Sequence, residues 1–216
     1  MILDTKIADK TAAYLLQINA IKLNPKNPFQ WASGWKSPIY CDNRLALSYP
    51  EIRHFLAQSM AQNIREKYPQ LSHIAGVATG AIGIGLLVAE ALELPFVYVR
   101  PEAKKHGRKN QVEGQLPQNA KVVVIEDLIS TGKSSLNAVA ALQESKATVL
   151  GMLAIFTYGF EISDAHFKQA GVALDTLCDY EHLIAHANRQ GLVADDQLNI
   201  LQAWRQNPEQ WNPEEN

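Results

Sequence analysis

The chain has 216 residues, 47% of them hydrophobic and 19% charged, with a formal net charge of −2. That length supports one sizeable core and the composition is that of a globular protein, while the near-neutral balance gives no electrostatic footprint for nucleic acid. A small-molecule substrate is therefore expected, rather than DNA or RNA.

The opening segment, Met-Ile-Leu-Asp-Thr-Lys-Ile-Ala-Asp-Lys, carries charges throughout and no long apolar run. It reads as neither a signal peptide nor a membrane span, which makes the cytoplasm the expected location. Apolar positions Ile7, Ala8, Ala12, Leu15, Leu16 and Ile18 predict an amphipathic helix within residues 4–20. From Asn24 to Asn43, Pro, Asn, Gly and Ser punctuate short extended pieces, so turns and short strands are expected. Pro50 then opens a helix whose face is Ile52, Phe55, Leu56, Ala57, Met60 and Ile64.

Beyond it the pattern alternates. A strand over 73–78 leads through Thr79-Gly-Ala-Ile-Gly-Ile-Gly85 to a helix over 86–92, and a strand follows over 96–100. A polar loop over 101–119 precedes a strand over 121–125, a helix over 133–144 and a strand over 148–157, with further alternation to about Tyr180. This order predicts an α/β fold, a mainly parallel central sheet covered by helices on both faces. Helical stretches over 181–189 and 195–205 and a polar tail complete the chain, and no internal repeat or linker divides it. Cys41 and Cys178 stand far apart without a Cys-x-x-Cys pair, so neither a zinc site nor a disulfide framework is indicated.

The chemistry concentrates in Val122-Val-Val-Ile-Glu-Asp-Leu-Ile-Ser-Thr-Gly-Lys-Ser-Ser135. Its Gly-Lys-Ser turn suggests a triphosphate-binding loop, but that loop requires a glycine five positions before the Gly-Lys pair, where this chain has Asp127. The alternative uses the acids. A buried strand stops at Glu126-Asp127, placing two carboxylates at the carboxyl edge of a sheet, where α/β folds bind ligands. Ser130, Thr131, Gly132, Lys133 and Ser134 then offer hydroxyls and a helix N-terminus to an anion. Hydroxyl acceptors next to a phosphate cradle suit a ribose 5-phosphate.

This stretch resembles the phosphoribosyl-pyrophosphate (PRPP) signature of type I phosphoribosyltransferases. Arg100, Lys104, His106, Glu113 and Gly114 match the catalytic-loop pattern Arg-x-x-x-Lys-x-His-Gly followed by Glu-Gly of the orotate phosphoribosyltransferases. Lys22 and the run Ser33-Gly-Trp-Lys-Ser-Pro-Ile-Tyr40 resemble the orotate-contacting hood of that family, and Thr79-Gly-Ala-Ile-Gly83 its pyrophosphate loop. The resemblance covers about residues 20–177. It departs at Pro101, where many relatives carry a second loop lysine, and at Tyr158, nearest the place of an orotate-supporting arginine. Lys133 occupies a slot commonly filled by a small residue.

The resemblance implies a type I phosphoribosyltransferase fold, one domain over 1–216 with an N-terminal hood of about 1–45 and a helical extension of about 181–216. It implies transfer from PRPP to orotate with Mg²⁺ held through PRPP rather than directly by protein, in a homodimer with shared sites. The implied catalytic residues are Lys104, His106 and Asp127. PRPP would be bound by these with Arg100, Lys105, Glu126 and Ser130 to Ser134, and its pyrophosphate by Thr79, Gly80 and Ala81. Orotate would contact Lys22, Tyr40, Ser130 and Tyr158. The signature is shared by purine-type phosphoribosyltransferases and by regulators that bind PRPP without turnover, and both readings remain open at this stage.

Overall fold

The structure is a computed structural model and describes residues 2–31, 33–102 and 111–213. In chain order it contains α1 (Thr5–Gln17), four short strands β1 (Ile21–Leu23), β2 (Phe29–Gln30), β3 (Lys36–Ser37) and β4 (Ile39–Cys41), a 3-10 segment (Asn43–Ser48) and α2 (Pro50–Lys67). The body follows as β5 (His73–Val77), α3 (Ala81–Leu92), β6 (Phe96–Val99), β7 (Val112–Glu113), β8 (Lys121–Ile129), α4 (Lys133–Glu144), β9 (Thr148–Thr157), α5 (Glu161–Ala170) and β10 (Leu174–Asp179). Two helices, α6 (Tyr180–Arg189) and α7 (Asp195–Gln206), close the chain.

Six strands form one sheet in the order β10-β9-β8-β5-β6-β7, parallel except for the antiparallel edge strand β7. β8 shows why the sheet must be covered twice. Val123 and Ile125 enter one apolar cluster with α1, α2, α3, α6 and α7, whereas Val122 and Val124 enter a second with α4 and α5. All four are fully buried, because successive strand residues face opposite sides. The N-terminal strands form two separate hairpins, β1–β4 and β2–β3, above the carboxyl edge of the sheet.

Three boundaries differ from the sequence expectation. α3 begins at Ala81 rather than Leu86, so Gly83 and Gly85 lie inside a helix. Glycine weakens a helix by about 1 kcal/mol relative to alanine, and close packing offsets that cost here: a Cβ on Gly83 would meet Leu47 Cδ1 at 2.6 Å, and one on Gly85 would meet Phe96 Cε2 at 3.0 Å. β8 runs to Ile129, four residues past Ile125, because β9 continues beside it. The polar segment after Arg100 returns to the sheet as β7, whose two residues are too few to leave a periodic signal. Among the described residues no helix is long and apolar enough to cross a membrane.

β5 and α3 meet at Gly76, where a Cβ would approach Ala81 O at 2.7 Å and Phe96 Cζ at 3.1 Å. Gly76→Ala is therefore expected to lower stability by about 1–3 kcal/mol through overpacking. Urea unfolding would show a lower midpoint at unchanged slope; an unchanged midpoint would mean that this contact relaxes freely.

Candidate active site

From β5 the chain crosses through α3 to β6 on one side of the sheet, then returns to place β8 on the other side and continues outward to β9 and β10. The gap between β5 and β8 is thus a topological switch point, where open α/β sheets bind ligands outside the strand carboxyl ends. β8 pairs with β5 only as far as Gly76↔Ile125, but with β9 as far as Ile129↔Thr157. Glu126 and Asp127 lie on this overhang, paired on one flank and open on the other. A cleft of about 340 Å³ forms there, lined by Val77 to Gly80, Glu126 to Leu128, Ser134, and the hood residues Cys41, Asp42 and Arg44.

The acids differ in environment. Glu126 is 4% exposed; its Oε1 accepts from the Asp127 N–H at 3.0 Å and its Oε2 from the Ser135 hydroxyl at 2.7 Å. Burial, followed by the charge of Asp127, holds the Glu126 carboxyl well above the ordinary glutamate range. Burial also raises Asp127, opposed by hydrogen bonding from Glu126 and its own backbone and by the charge of Arg44. Burial thus favours the protonated form of both acids, and the mutual charge adds to it at Glu126, where the Ser135 hydroxyl opposes it. Arg44 is itself raised, first by its hydrogen bond to Asp42 and further by the nearby Asp127 and Tyr40.

Asp127 packs against the turn after β5 so tightly that a Cβ on Gly80 would overlap its carboxylate. The Ala78–Thr79 peptide in this turn is cis. Thr79 and Gly80 line the cleft, whereas Ala81 is fully buried at the start of α3, leaving it only backbone to offer. On the other side of the acids, Ser130 and Thr131 lead to Gly132, whose φ of +76° turns the chain into α4. A side chain there would meet Phe167 at 2.7 Å. The first turn of α4 carries N–H groups without intrahelical acceptors, next to Ser134 in the cleft. Lys133 is exposed and faces elsewhere, beside Leu136, Asn137, Ile162 and His166.

Lys22 and Tyr40 are directly opposed in the β1–β4 hairpin and both exposed, hence on one face. The Phe29 ring lies 5.8 Å from that of Tyr40. Tyr158 departs from the ligand contact that its position suggested. It is 2% exposed, wedged between Trp31 at 5.1 Å and Phe160 at 5.4 Å, with burial holding its phenol well above the ordinary range. Arg100 directly follows β6 and pairs with Glu113 at 3.5 Å. Lys104, Lys105 and His106 lie outside the described residues.

Sequence reasoning missed Asn43. Its amide, 2% exposed, donates to the Asp127 carbonyl at 2.7 Å and accepts from the Cys41 thiol at 3.2 Å, tying the hood to the open flank of β8. The only sequence signal was its place directly after the hood motif, because nothing periodic marks a side chain that caps a distant carbonyl. Burial, then Asp127 and Asp42, pushes the Cys41 thiol up, so it is a neutral donor and not a nucleophile.

The buried acid has a pH signature. Glu126 titrates higher in the folded than in the unfolded chain, so the native state holds the additional proton. The stability this confers is complete at low pH and is lost as pH rises from the ordinary value of 4.5 through the raised native one. Relative to wild type, Glu126→Gln should therefore gain stability progressively above pH 4.5. Urea midpoints measured across pH check this, and a difference that stays constant with pH would contradict a protonated Glu126.

Residues 44–170 match the family model described as the phosphoribosyl transferase domain. The chain is 51% identical over 202 residues to an orotate phosphoribosyltransferase of Cytophaga hutchinsonii, covering 94% of this chain and 97% of that one. Among solved structures, the orotate phosphoribosyltransferase of Aeropyrum pernix matches with a TM-score of 0.73 at 27% identity, over 85% of this chain and 99% of that one. The UMP synthase of Leishmania donovani shares the fold with a TM-score of 0.77 at 22% identity over 92% of this chain, which spans only 42% of that longer protein. With the family model matched from β5 through β9 and over both acids of the cleft, and half of all positions identical over nearly the full length of a relative, the chain belongs to the orotate phosphoribosyltransferases of the phosphoribosyl transferase family.

Proposed function

We propose that this chain transfers the 5-phosphoribosyl group of PRPP to orotate, giving orotidine 5′-monophosphate and pyrophosphate, a step of pyrimidine nucleotide synthesis. The observation that carries the reading is the acidic pair on the β8 overhang, set between a glycine turn and a helix N-terminus at the switch point. Identity to a named orotate enzyme favours orotate over a purine as the acceptor.

In this reading Asp127 and Glu126, which both line the cleft, accept from the ribose hydroxyls. The backbone amides and hydroxyls from Ser130 to Ser134 hold the 5-phosphate. Thr79 and Gly80 present backbone to the pyrophosphate, while Arg100, Lys104 and Lys105, with His106 as the partner of Lys104, stabilise it as it departs. Lys22 and Tyr40 offer a cation and a flat ring to orotate. Tyr158 supports that region from below instead of touching the ligand. No protein nucleophile is needed, consistent with the neutral Cys41 thiol; catalysis rests on positioning and charge stabilisation.

Among the described residues no three His, Cys, Asp or Glu side chains gather to hold a metal. The Asp127 carboxylate beside the phosphate-binding turn fits Mg²⁺ that arrives on PRPP, since Mg²⁺ keeps several waters and is held by one or two carboxylates and substrate phosphates. Bound so, it would neutralise phosphate charge; Asp127 would orient the hydroxyls beside it. We further propose a homodimer, supported by exposed Leu45, Tyr49 and Leu86 on neighbouring elements, and a cytoplasmic location.

Two experiments test these proposals. Asp127→Asn should lower kcat/KM for PRPP roughly 10- to 100-fold through loss of charge-assisted hydrogen bonds, whereas Lys133→Ala should stay within about two-fold, as an exposed substitution away from the cleft. Spectrophotometric orotate consumption reads both, and a severe defect in folded Lys133→Ala would reverse the assignment. Mixing Lys104→Ala with Asp127→Asn subunits should restore part of the activity when sites are shared, and no recovery after confirmed exchange would argue for independent sites.

A further inference from the structure

We propose that Trp204, together with Arg205, is a positioning residue for the base site: helix α7, outside the segment matched by the family model, clamps the hood onto the carboxyl edge of the sheet. The proposal rests on Lys22 and Tyr40 being the orotate-facing pair.

Trp204 is completely buried, although it belongs to the last helix of the chain. Its ring is the hub of an aromatic cluster, with centroids 5.5 Å from Phe160 and Tyr180, 5.6 Å from Trp31 and 5.7 Å from Tyr158. Its indole N–H reaches across to the Lys36 carbonyl in the hood, at 3.2 Å. From Lys36 the connection is continuous. The neighbouring Ser37 hydroxyl, fully buried, donates to the Ile39 carbonyl at 2.8 Å and accepts from the Ile39 N–H at 3.2 Å. Trp31 Nε1 donates to the same carbonyl at 3.0 Å. Ile39 pairs with Leu23 in the hairpin where Tyr40 pairs with Lys22. One indole therefore holds the stem that presents the cation and ring of the base site.

Arg205 grips the opposite wall. Its Nε donates to the Tyr158 carbonyl at 3.2 Å and its Nη2 to the Gly159 carbonyl at 3.1 Å. Gly159 has φ of +64°, and a side chain there would press on Nη2 at 2.9 Å. This turn follows β9, where the resemblance expects an arginine that supports orotate directly. Here a guanidinium is instead delivered from α7 to the backbone of that turn. Two adjacent residues of one helix thus fix both walls of the base site, and neither needs to touch the base.

Kinetics of the full chain, with orotate and PRPP varied separately and thermal unfolding followed in parallel, test the clamp. Trp204→Phe keeps an aromatic ring and removes the donor to Lys36. It should raise KM for orotate about three- to ten-fold, the effect of one lost hydrogen bond, with KM for PRPP unchanged. Unchanged values of both constants would overturn the clamp, as would a parallel rise in both with a lowered Tm, which marks a role in stability alone. Should Trp204→Phe fail to fold, Arg205→Gln carries the same expectation and the same refutation. Failure of the functional reading looks different: wild-type protein would consume no orotate with PRPP and Mg²⁺.

Discussion

The approach of the Asp127 carboxylate to the backbone of Gly80 is the constraint on which the rest of the site depends. It leaves no room for a side chain on the turn after β5, because a Cβ on Gly80 would overlap the carboxyl group. The backbone of Gly80 is already helical, with φ −61° and ψ −39°, so glycine is required there for space and not for conformation, and α3 runs on from Ala81 to pack on Gly76 and Phe96. Topology supplies the rest. The chain reverses direction across the sheet at this gap, β8 outruns β5, and the unpaired flank of the overhang faces the hood. Asn43 then satisfies the Asp127 carbonyl on that flank, so the hood is joined to the sheet at one of the acids proposed to hold the ribose hydroxyls.

Much of this was legible in the sequence, for physical reasons. A strand buried on both faces must be apolar throughout, so Val122 to Ile125 announced a covered parallel sheet. Carboxylates ending such a strand point to a ligand, because burying them without one is costly. What stayed hidden depends on partners distant in sequence. Gly83 and Gly85 read as loop residues until Leu47 and Phe96 were seen to press against them. The extension of β8 through Glu126 and Asp127 depends on β9 remaining alongside, which no local pattern reports. Tyr158 read as a ligand contact because the resemblance puts it nearest an orotate-supporting arginine; its burial is decided by Trp31 and by Trp204, far downstream.

The C-terminal helices are thus more than an appendage. α6 packs beside α1, where Arg189 bonds Asp9 at 2.6 Å, and α7 fills the space between the hood and the end of β9. A domain matched by the family model over 44–170 is bracketed by segments that hold each other in place across it. The hairpins of the hood, too short to be stable alone, acquire their geometry from this enclosure.

The raised proton affinity of the buried Glu126 has a consequence for encounter with substrate. A doubly ionised pair at the mouth of a small cleft would repel an incoming polyphosphate at the place where it must settle, and focused fields in clefts act strongly on association rates. Burial favours the protonated form of Glu126, and the nearby Arg44 offsets part of the charge of Asp127, so both temper the negative potential of the cleft. Burial of Glu126 thereby keeps two oxygen-rich side chains together while limiting the negative potential that a highly charged ligand meets on approach.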